Sequence, residues 1–453
     1  MFLHLETNLK STRHGVLAQH HRWWFLYPPF SRFVRNERLE QVFSWKLLLV
    51  VFLMVTAVVE ANEIQPRRIA GITSTYFQNA HADVILTRLL RTDSMDDQGR
   101  TLPLRLTSLF TDQIDVDDLS RPYSKQFGFS IYDSISATLT QNTDRLAVDG
   151  VLFILEQGTY PMSPLGQTLY PKRRMFTEIV ETFKRTGQVV PVFYDKHLSH
   201  NWEDAKWIYE TAKKMQIPLI AGSSLPTTWR YPPEDVERGA ELKEIMVLSF
   251  GGVEGYGFHA LEVVQSLSER RKGGETGVQS VQAIEGAAVW EAGEQGVYDR
   301  QLLNEALSRL RHPPVSGERS LKDKVKHPLL FIVDYHDGLR ANVLILSGAV
   351  GEWAAAWRNT EEQTRSALIA SQHTKPYMHF AHLCQGIESM MLTGEPTWPV
   401  ERTLLTSGML EALLISLHDE GRRVETPWLD VRYESNWDWQ QPSPWPAPIP
   451  EAK

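Results

Sequence analysis

Asp195, His197 and His200 lie within one short stretch of this 453-residue chain. Glu156 closes an apolar run upstream of them, and His259 lies downstream. A His-x-x-His pair beside carboxylates has the ligand types that hold zinc or another divalent ion. Brought together at strand ends, Asp195, His197 and His200 would support metal-assisted hydrolysis or elimination on a sugar. The plainer alternative is a pair of loop histidines without metal. A second set is Thr73, Ser74, Thr75 and Asn79, a polar run ahead of a helix, where backbone N–H groups can bind an anion. A third is the long connection Glu156–Arg174 (EQGTYPMSPLGQTLYPKRR). Connections of that length are uncommon without a task. This one could bring Tyr160, Tyr170, Lys172 or Arg173 to a substrate, or serve as a surface lid or subunit contact. His373, His379 and His382 read as the polar face of a helix with stacked aromatics.

Such groups act only if the fold gathers them. From Arg67 onward, apolar strands alternate with amphipathic helices. Strands are expected at 68–73, 104–111, 148–155, 189–194 and 218–222. Helices are expected at 81–91, 119–127, 133–139, 175–186 and 202–215. Gly187 is the expected stop of the fourth helix and Asn201 the cap of the fifth. Alternation of this kind implies a parallel sheet with right-handed crossovers. Ligands of such sheets bind outside the carboxyl ends of the strands. The candidate surface is therefore Thr73–His81, Asp112, Glu156–Tyr160, Asp195–His200 and Ser223–Pro226. After about Thr228 the pattern changes. Strands are expected at 245–250, 278–284, 329–335 and 339–347, the last two joined at Asp337-Gly338, a strong hairpin signal. Helices are expected at 260–270, 379–392 and 400–418. The fold class is α/β: a Rossmann-like parallel-sheet domain (62–228), then an α+β domain with a large, mostly antiparallel sheet (229–436). An N-terminal extension (1–61) precedes them and a Pro/Trp-rich tail (437–453) follows.

The stretch Val189–Pro226 (VVPVFYDKHLSHNWEDAKWIYETAKKMQIPLIAGSSLP) resembles the Gfo/Idh/MocA oxidoreductase family. There a strand ends in Glu-Lys-Pro-Leu, a helix follows, and the next strand ends in a Gly-Ser or Gly-Asn turn. Here those positions read Asp195-Lys196-His197-Leu198 and Ala221-Gly222-Ser223-Ser224. Ile131–Leu139 (IYDSISATL) resembles the family's link into the strand before its substrate loop. Gly255–Leu267 (GYGFHALEVVQSL) resembles the segment that opens the second domain's main helix. Pro399–Pro427 resembles its C-terminal helix and final strand. The similarity spans about Arg67 to Pro427.

The resemblance implies NAD or NADP and oxidation or reduction of a sugar or polyol, with a lysine and a histidine handling the hydroxyl proton. By position these are Lys196 and His259. A lysine near a cofactor cation can have its pKa lowered into working range. Without that role, Lys196 is a salt-bridge partner and His259 a satisfied core histidine. The cofactor-facing set would be Thr73, Ser74, Thr75, Asn79, Asp112 and Glu156. The substrate-facing set would be Tyr160, His197 and Glu254. The departures are specific. The family's Gly-x-Gly-x-x-Gly turn is replaced by Thr73–His81, with only Gly71 inside the strand, and Tyr76 and Phe77 would obstruct a pyrophosphate. An insertion, Ser94–Pro103, separates the first strand from Asp112. The family's proline after the lysine is His197, and the aspartate four residues before the histidine is Gly255. Two alternatives to hydride transfer follow: a non-redox relative that keeps the fold for carbohydrate binding or interaction without cofactor, and metal-dependent chemistry at the same cleft. The family often dimerises through its second-domain sheet, so a homo-oligomer is the expected assembly.

Composition narrows the classes. With 42% hydrophobic and 23% charged residues the chain is a folding one. A net charge of −8 argues against nucleic-acid binding, which depends on Lys and Arg at phosphates. The single cysteine, Cys384, makes no internal disulfide and reads as a buried hydrophobe. Leu47–Val59 (LLLVVFLMVTAVV) has the length of a signal-peptide core rather than of a membrane span, and Val59-Glu60-Ala61 offers small residues for cleavage. The expected location is outside the cytoplasm, periplasmic or extracellular, or membrane-anchored if the run is retained.

Overall fold

A computed structural model describes residues 65–91, 102–314 and 317–443. The apolar run at 47–59, the insertion at 94–101 and the tail beyond 443 lie outside the described residues.

The first sheet is built from β1 (Arg67–Thr73), β2 (Leu104–Thr111), β3 (Ser130–Ile131), β4 (Gly150–Ile154), β5 (Val192–Asp195) and β6 (Leu219–Gly222). All its pairs are parallel, in the order β3-β2-β1-β4-β5-β6. β4 is buried at every residue, which is why it reads as an unbroken apolar run rather than an alternating one. Around it lie α1 (His81–Leu90), α2 (Ser120–Phe127), α3 (Ile135–Thr140), α4 (Lys172–Thr186) and α5 (Trp202–Lys214). Asn201 caps α5 by accepting from Asp204 N, and Gly187 ends α4 in the left-handed region, both as expected. Gly71 has a packing reason: a Cβ there would sit 2.8 Å from a Leu109 methyl and 3.1 Å from a Leu86 methyl, so its absence lets α1 approach the sheet. The chain order reverses between β1 and β4, and the crevice above their carboxyl ends is the binding position of such sheets.

The second sheet adds β7 (Trp229–Tyr231), β8 (Leu242–Ser249), β9 (Val278–Glu285), β10 (Leu329–Tyr335), β11 (Arg340–Ile345), β12 (Trp353–Asn359), β13 (Thr364–Ala370) and β14 (Val424–Glu425). Its order is β14-β9-β10-β11-β8-β12-β13-β7, parallel at β11–β8 and antiparallel elsewhere. One face packs on α6 (Val253–Ser268) and on α11 (Glu401–His418), in an apolar cluster that continues through the first sheet to α4 and α5. The other face carries α7 (Ala287–Glu294), α8 (Arg300–Ser308) and α9 (Gly317–Lys324). Helix α10 (Met378–Thr393) crosses back to the first sheet, where Leu383, Ile387 and Met391 meet Ile69, Leu152 and Ile220. Cys384 is buried in that contact, and burial pushes its thiol up to about 12. Among the described residues no helix is long and apolar enough to cross a membrane.

Candidate functional site

Lys196 follows β5 directly with φ 57°, in the left-handed region that a non-glycine residue adopts at a cost. The backbone turns there, and Lys196 N reaches Gly222 O at the end of β6 (3.3 Å). Three successive side chains consequently leave in three directions. Asp195 Oδ2 meets His81 Nδ1 at 2.7 Å. Lys196 Nζ lies 3.3 Å from Glu156 Oε2. His197 turns inward, its Nδ1 2.8 Å from Lys172 Nζ.

Glu156 is the hub of this arrangement. It is buried just past β4, with Lys172 Nζ donating to Oε1 at 2.5 Å and Lys196 on Oε2. Burial pushes its carboxyl up, but the two ammonium groups outweigh that and hold it well below the usual range. Burial likewise disfavours charge on Lys196, yet Glu156 and Asp195 outweigh it and raise its pKa. Lys196 is thus kept charged, where the resemblance led us to expect a lowered value. Lys172 is completely enclosed, donating also to His197 O (2.7 Å).

His259 stands on α6, and its Nδ1 lies 2.7 Å from Ser223 Oγ. Burial, then the nearby Lys196 ammonium, push its pKa well down, so the ring is neutral near pH 7. Ser223 Oγ already accepts from Leu225 N (3.1 Å), which makes His259 Nδ1 the natural acceptor of the serine proton. The network therefore assigns the His259 proton to Nε2. His81 is the reverse case. A carboxylate at Nδ1 fixes the proton there and leaves Nε2 as an acceptor.

Lys196, His259 and His81 line one cavity of about 320 Å³, together with Asn79, Gln157, Tyr256, Trp353, His373, Tyr377, His379 and Phe380, while Glu156, Asp195, Lys172 and His197 stand behind them. Trp353 stacks between Tyr256 (16° between planes) and His373 (22°), which gives the cavity an aromatic wall. Aromatic faces of this kind suit the apolar faces of sugar rings. His81 closed the expected surface Thr73–His81 but was given no role there, although it opens α1 beside the polar run. The N-terminus of α4 held another signal. Lys172, Arg173 and Arg174 occupy its first turn, against the helix dipole, with no acid there. Each is held by an acid from elsewhere: Glu156, Asp204 and Asp112.

Several expected site residues lie apart from the cavity or are engaged otherwise. The alternative metal set does not converge. Asp195 serves His81, His197 serves Lys172, and His200 Nε2 contacts Asn201 Nδ2. Among the described residues no group of three or more His, Cys, Asp or Glu side chains could hold a metal ion. Glu254 accepts from Thr168 N, 3.8 Å from His197 Nε2, and so fixes the long loop. Tyr160 donates to Asp112 Oδ2 (2.8 Å). Thr73 Oγ1 bonds to Thr111 Oγ1 (3.2 Å); Asn79 N donates to Asp83 Oδ2 (2.9 Å), but Asn79 itself lines the cavity.

The fit of a dinucleotide differs between its two ends. Tyr76, expected to obstruct the turn, is buried beneath it, its hydroxyl on Thr87 Oγ1 (2.9 Å) and its ring edge-on to Tyr123. Thr75 Oγ1 is buried with no protein partner among the described residues, and the start of α1 has no side-chain cap. The nicotinamide end thus has the open cavity, whereas the turn itself keeps one unpartnered hydroxyl: Thr73, Ser74 and Thr75 are buried, and the N–H groups of Asn79 and His81 are taken by Asp83 and Gln157, so a phosphate would have to displace those contacts. The adenosine end is covered. Gln113, beyond β2, donates to Thr159 O (3.0 Å) and accepts from Thr159 N (2.9 Å). With Tyr160 on Asp112, this bridge passes over the end of β1, so a dinucleotide fits there only once the bridge opens.

No family model matches the chain, and a search of curated proteins finds no match. Solved structures do match. GenD2 from gentamicin A biosynthesis, in complex with NAD, superposes with a TM-score of 0.50 at 14% identity, over 80% of this chain and 96% of that one. The apo scyllo-inositol dehydrogenase from Lactobacillus casei gives 0.49 at 12% identity, over 80% and 98%. A probable dehydrogenase from Thermotoga maritima gives 0.48 at 13%, over 80% and 99%. At such identities the likeness is one of fold, and the fold is the one the resemblance led us to expect.

Proposed function

We propose that the chain is an oxidoreductase acting on a sugar or polyol with NAD or NADP, which it holds tightly. The observation that carries this reading is the meeting of Lys196 and His259, from different sheets, in one aromatic-walled cavity. The fold shared with GenD2, solved in complex with NAD, supports it. Thr73, Ser74, Thr75 and the first turn of α1 would hold the phosphates, and the bound nicotinamide supplies the hydride acceptor. Lys196, kept charged by Glu156, stabilises negative charge on the reacting oxygen, and the hydroxyl proton passes to His81 Nε2, the acceptor nitrogen on the same cavity. His259 donates from Nε2 to an adjacent hydroxyl and so orients the ring. Purified protein should release nicotinamide absorbance on denaturation, and NAD or NADP should raise its melting temperature. An empty supernatant together with no thermal shift removes this reading.

The covered adenosine end favours a second reading, a relative that binds carbohydrate without a cofactor. That reading gains if a sugar shifts the melting temperature while neither dinucleotide does. On the strength of Leu47–Val59 we also propose export, with the segment cleaved or kept as an anchor. Fractionation and N-terminal sequencing of the mature protein test this, and a cytoplasmic protein with an intact start rejects it.

A further inference from the structure

Three of the polar groups on the cavity are not equivalent, and their difference points to an activity beyond hydride transfer. Lys196 is a held cation, and His259 is a donor through Nε2. His81 alone offers an acceptor nitrogen backed by a buried carboxylate, Asp195 Oδ2 at 2.7 Å. Its ring is fixed edge-on against Phe380 (5.1 Å between centroids), and its backbone N–H is anchored to Gln157 Oε1 (3.2 Å). A base, a cation and a neutral donor around one small cavity form the set that proton abstraction beside a carbonyl requires.

We propose that His81, oriented by Asp195, is a catalytic base that enolises a ketone of a cyclic sugar or polyol in this cavity. The C–H bond next to the carbonyl breaks, and its proton passes to His81 Nε2. The electron pair moves into a C=C bond, while the carbonyl pair moves onto oxygen, where the Lys196 ammonium meets the enolate. Return of a proton from His81 to the same carbon restores the ketone, so no oxidant or reductant is consumed. The activity requires no dinucleotide, and therefore stands or falls separately from the redox reading.

The test uses the full chain without added nicotinamide. Pentahydroxycyclohexanone is incubated in D₂O, and loss of its α-proton signals is followed by proton NMR. Wild-type protein is expected to exchange them well above the rate in buffer. His81→Gln should lower the enzymatic rate by about 100-fold or more, within the range for loss of a positioned base. Asp195→Asn should lower it too, because an amide can donate to Nδ1 and move the ring proton to Nε2. Melting curves establish that the variants fold; if Asp195→Asn does not, His81→Gln carries the test. No wild-type exchange above buffer, or equal exchange in His81→Gln, overturns the proposal. A negative nicotinamide assay beside a positive exchange assay would remove the redox reading alone.

Discussion

Glu156 shows how much of this site depends on buried charge. One carboxylate faces two lysines, and removing either lysine leaves a buried anion short of a partner. Breaking such a pair costs about 3–5 kcal/mol, whereas replacing both partners by apolar groups is often close to neutral. Lys172→Met is expected to destabilise the fold by about that amount, and Lys172→Met with Glu156→Leu should recover part of it, Lys196 then keeping only Asp195 as its counter-charge. Urea unfolding of the single and double variants checks this; additive losses would contradict it. A second expectation concerns acid. Burial lowers the pKa of His382 to about 4. A histidine with a depressed folded value binds its proton more readily when unfolded. Its contribution is therefore complete above about pH 6.5 and is lost as pH falls through about 4. The loss amounts to roughly 3 kcal/mol at about 1.4 kcal/mol per unit. Melting temperatures measured from pH 7 to pH 4 should fall, and His382→Leu should flatten the curve.

Elements of the first sheet were readable because each obeys a local rule. The strands are short apolar runs, α5 has its Asn201 cap, and α4 has its Gly187 stop. Other elements escaped for physical reasons. Helix α6 begins at Val253, seven residues before the expected start, because glycines at 251, 252, 255 and 257 argue against helix. Gly257 is a packing requirement there, since a Cβ would come 3.1 Å from Phe331. The β12–β13 hairpin was missed because its strands are rich in alanine, which carries little strand signal. At the site, Lys196 and His259 were found through their surroundings in sequence. The His81–Asp195 and Lys172–Glu156 pairs were not, because residues 114 and 16 positions apart meet only in the fold. The bridge over β1 is likewise a matter of two loops. Opening the Gln113–Thr159 contact forfeits two exposed hydrogen bonds, together about 1–1.4 kcal/mol at the low end of such bonds. If a dinucleotide enters by that route, Gln113→Ala should bind NAD or NADP about 5–10-fold more tightly than wild type. Titration calorimetry reads this directly, and unchanged affinity would mean that the bridge does not lie on the entry path.

At the scale of the molecule, the second sheet decides how the chain can assemble. The resemblance implied pairing through one face of that sheet. An interface of this kind needs the face bare, and here it is not. Met246, Leu248, Leu330, Ile332, Leu344 and Leu368 on that face pack under Trp290, Tyr298, Leu302, Leu303 and Leu321 of the segment from α7 to α9. The opposite face is taken by α6 and α11. One edge is also occupied. At one end β7 is met by the segment after β14, with Gln441 Oε1 accepting from Arg230 N (3.1 Å) and Trp439 Nε1 donating to Thr228 O (2.8 Å). That contact also shows the start of the expected tail lying on the body. With the apolar surface of the sheet satisfied within one chain, association through it has no hydrophobic driving force left. Light scattering at tens of micromolar should therefore give the mass of a single chain. A stable dimer would require a different surface. Leu302→Asp would show which explanation holds: it should unfold the chain by exposing the covered face, whereas a sheet-paired dimer with α7–α9 displaced would dissociate into folded monomers.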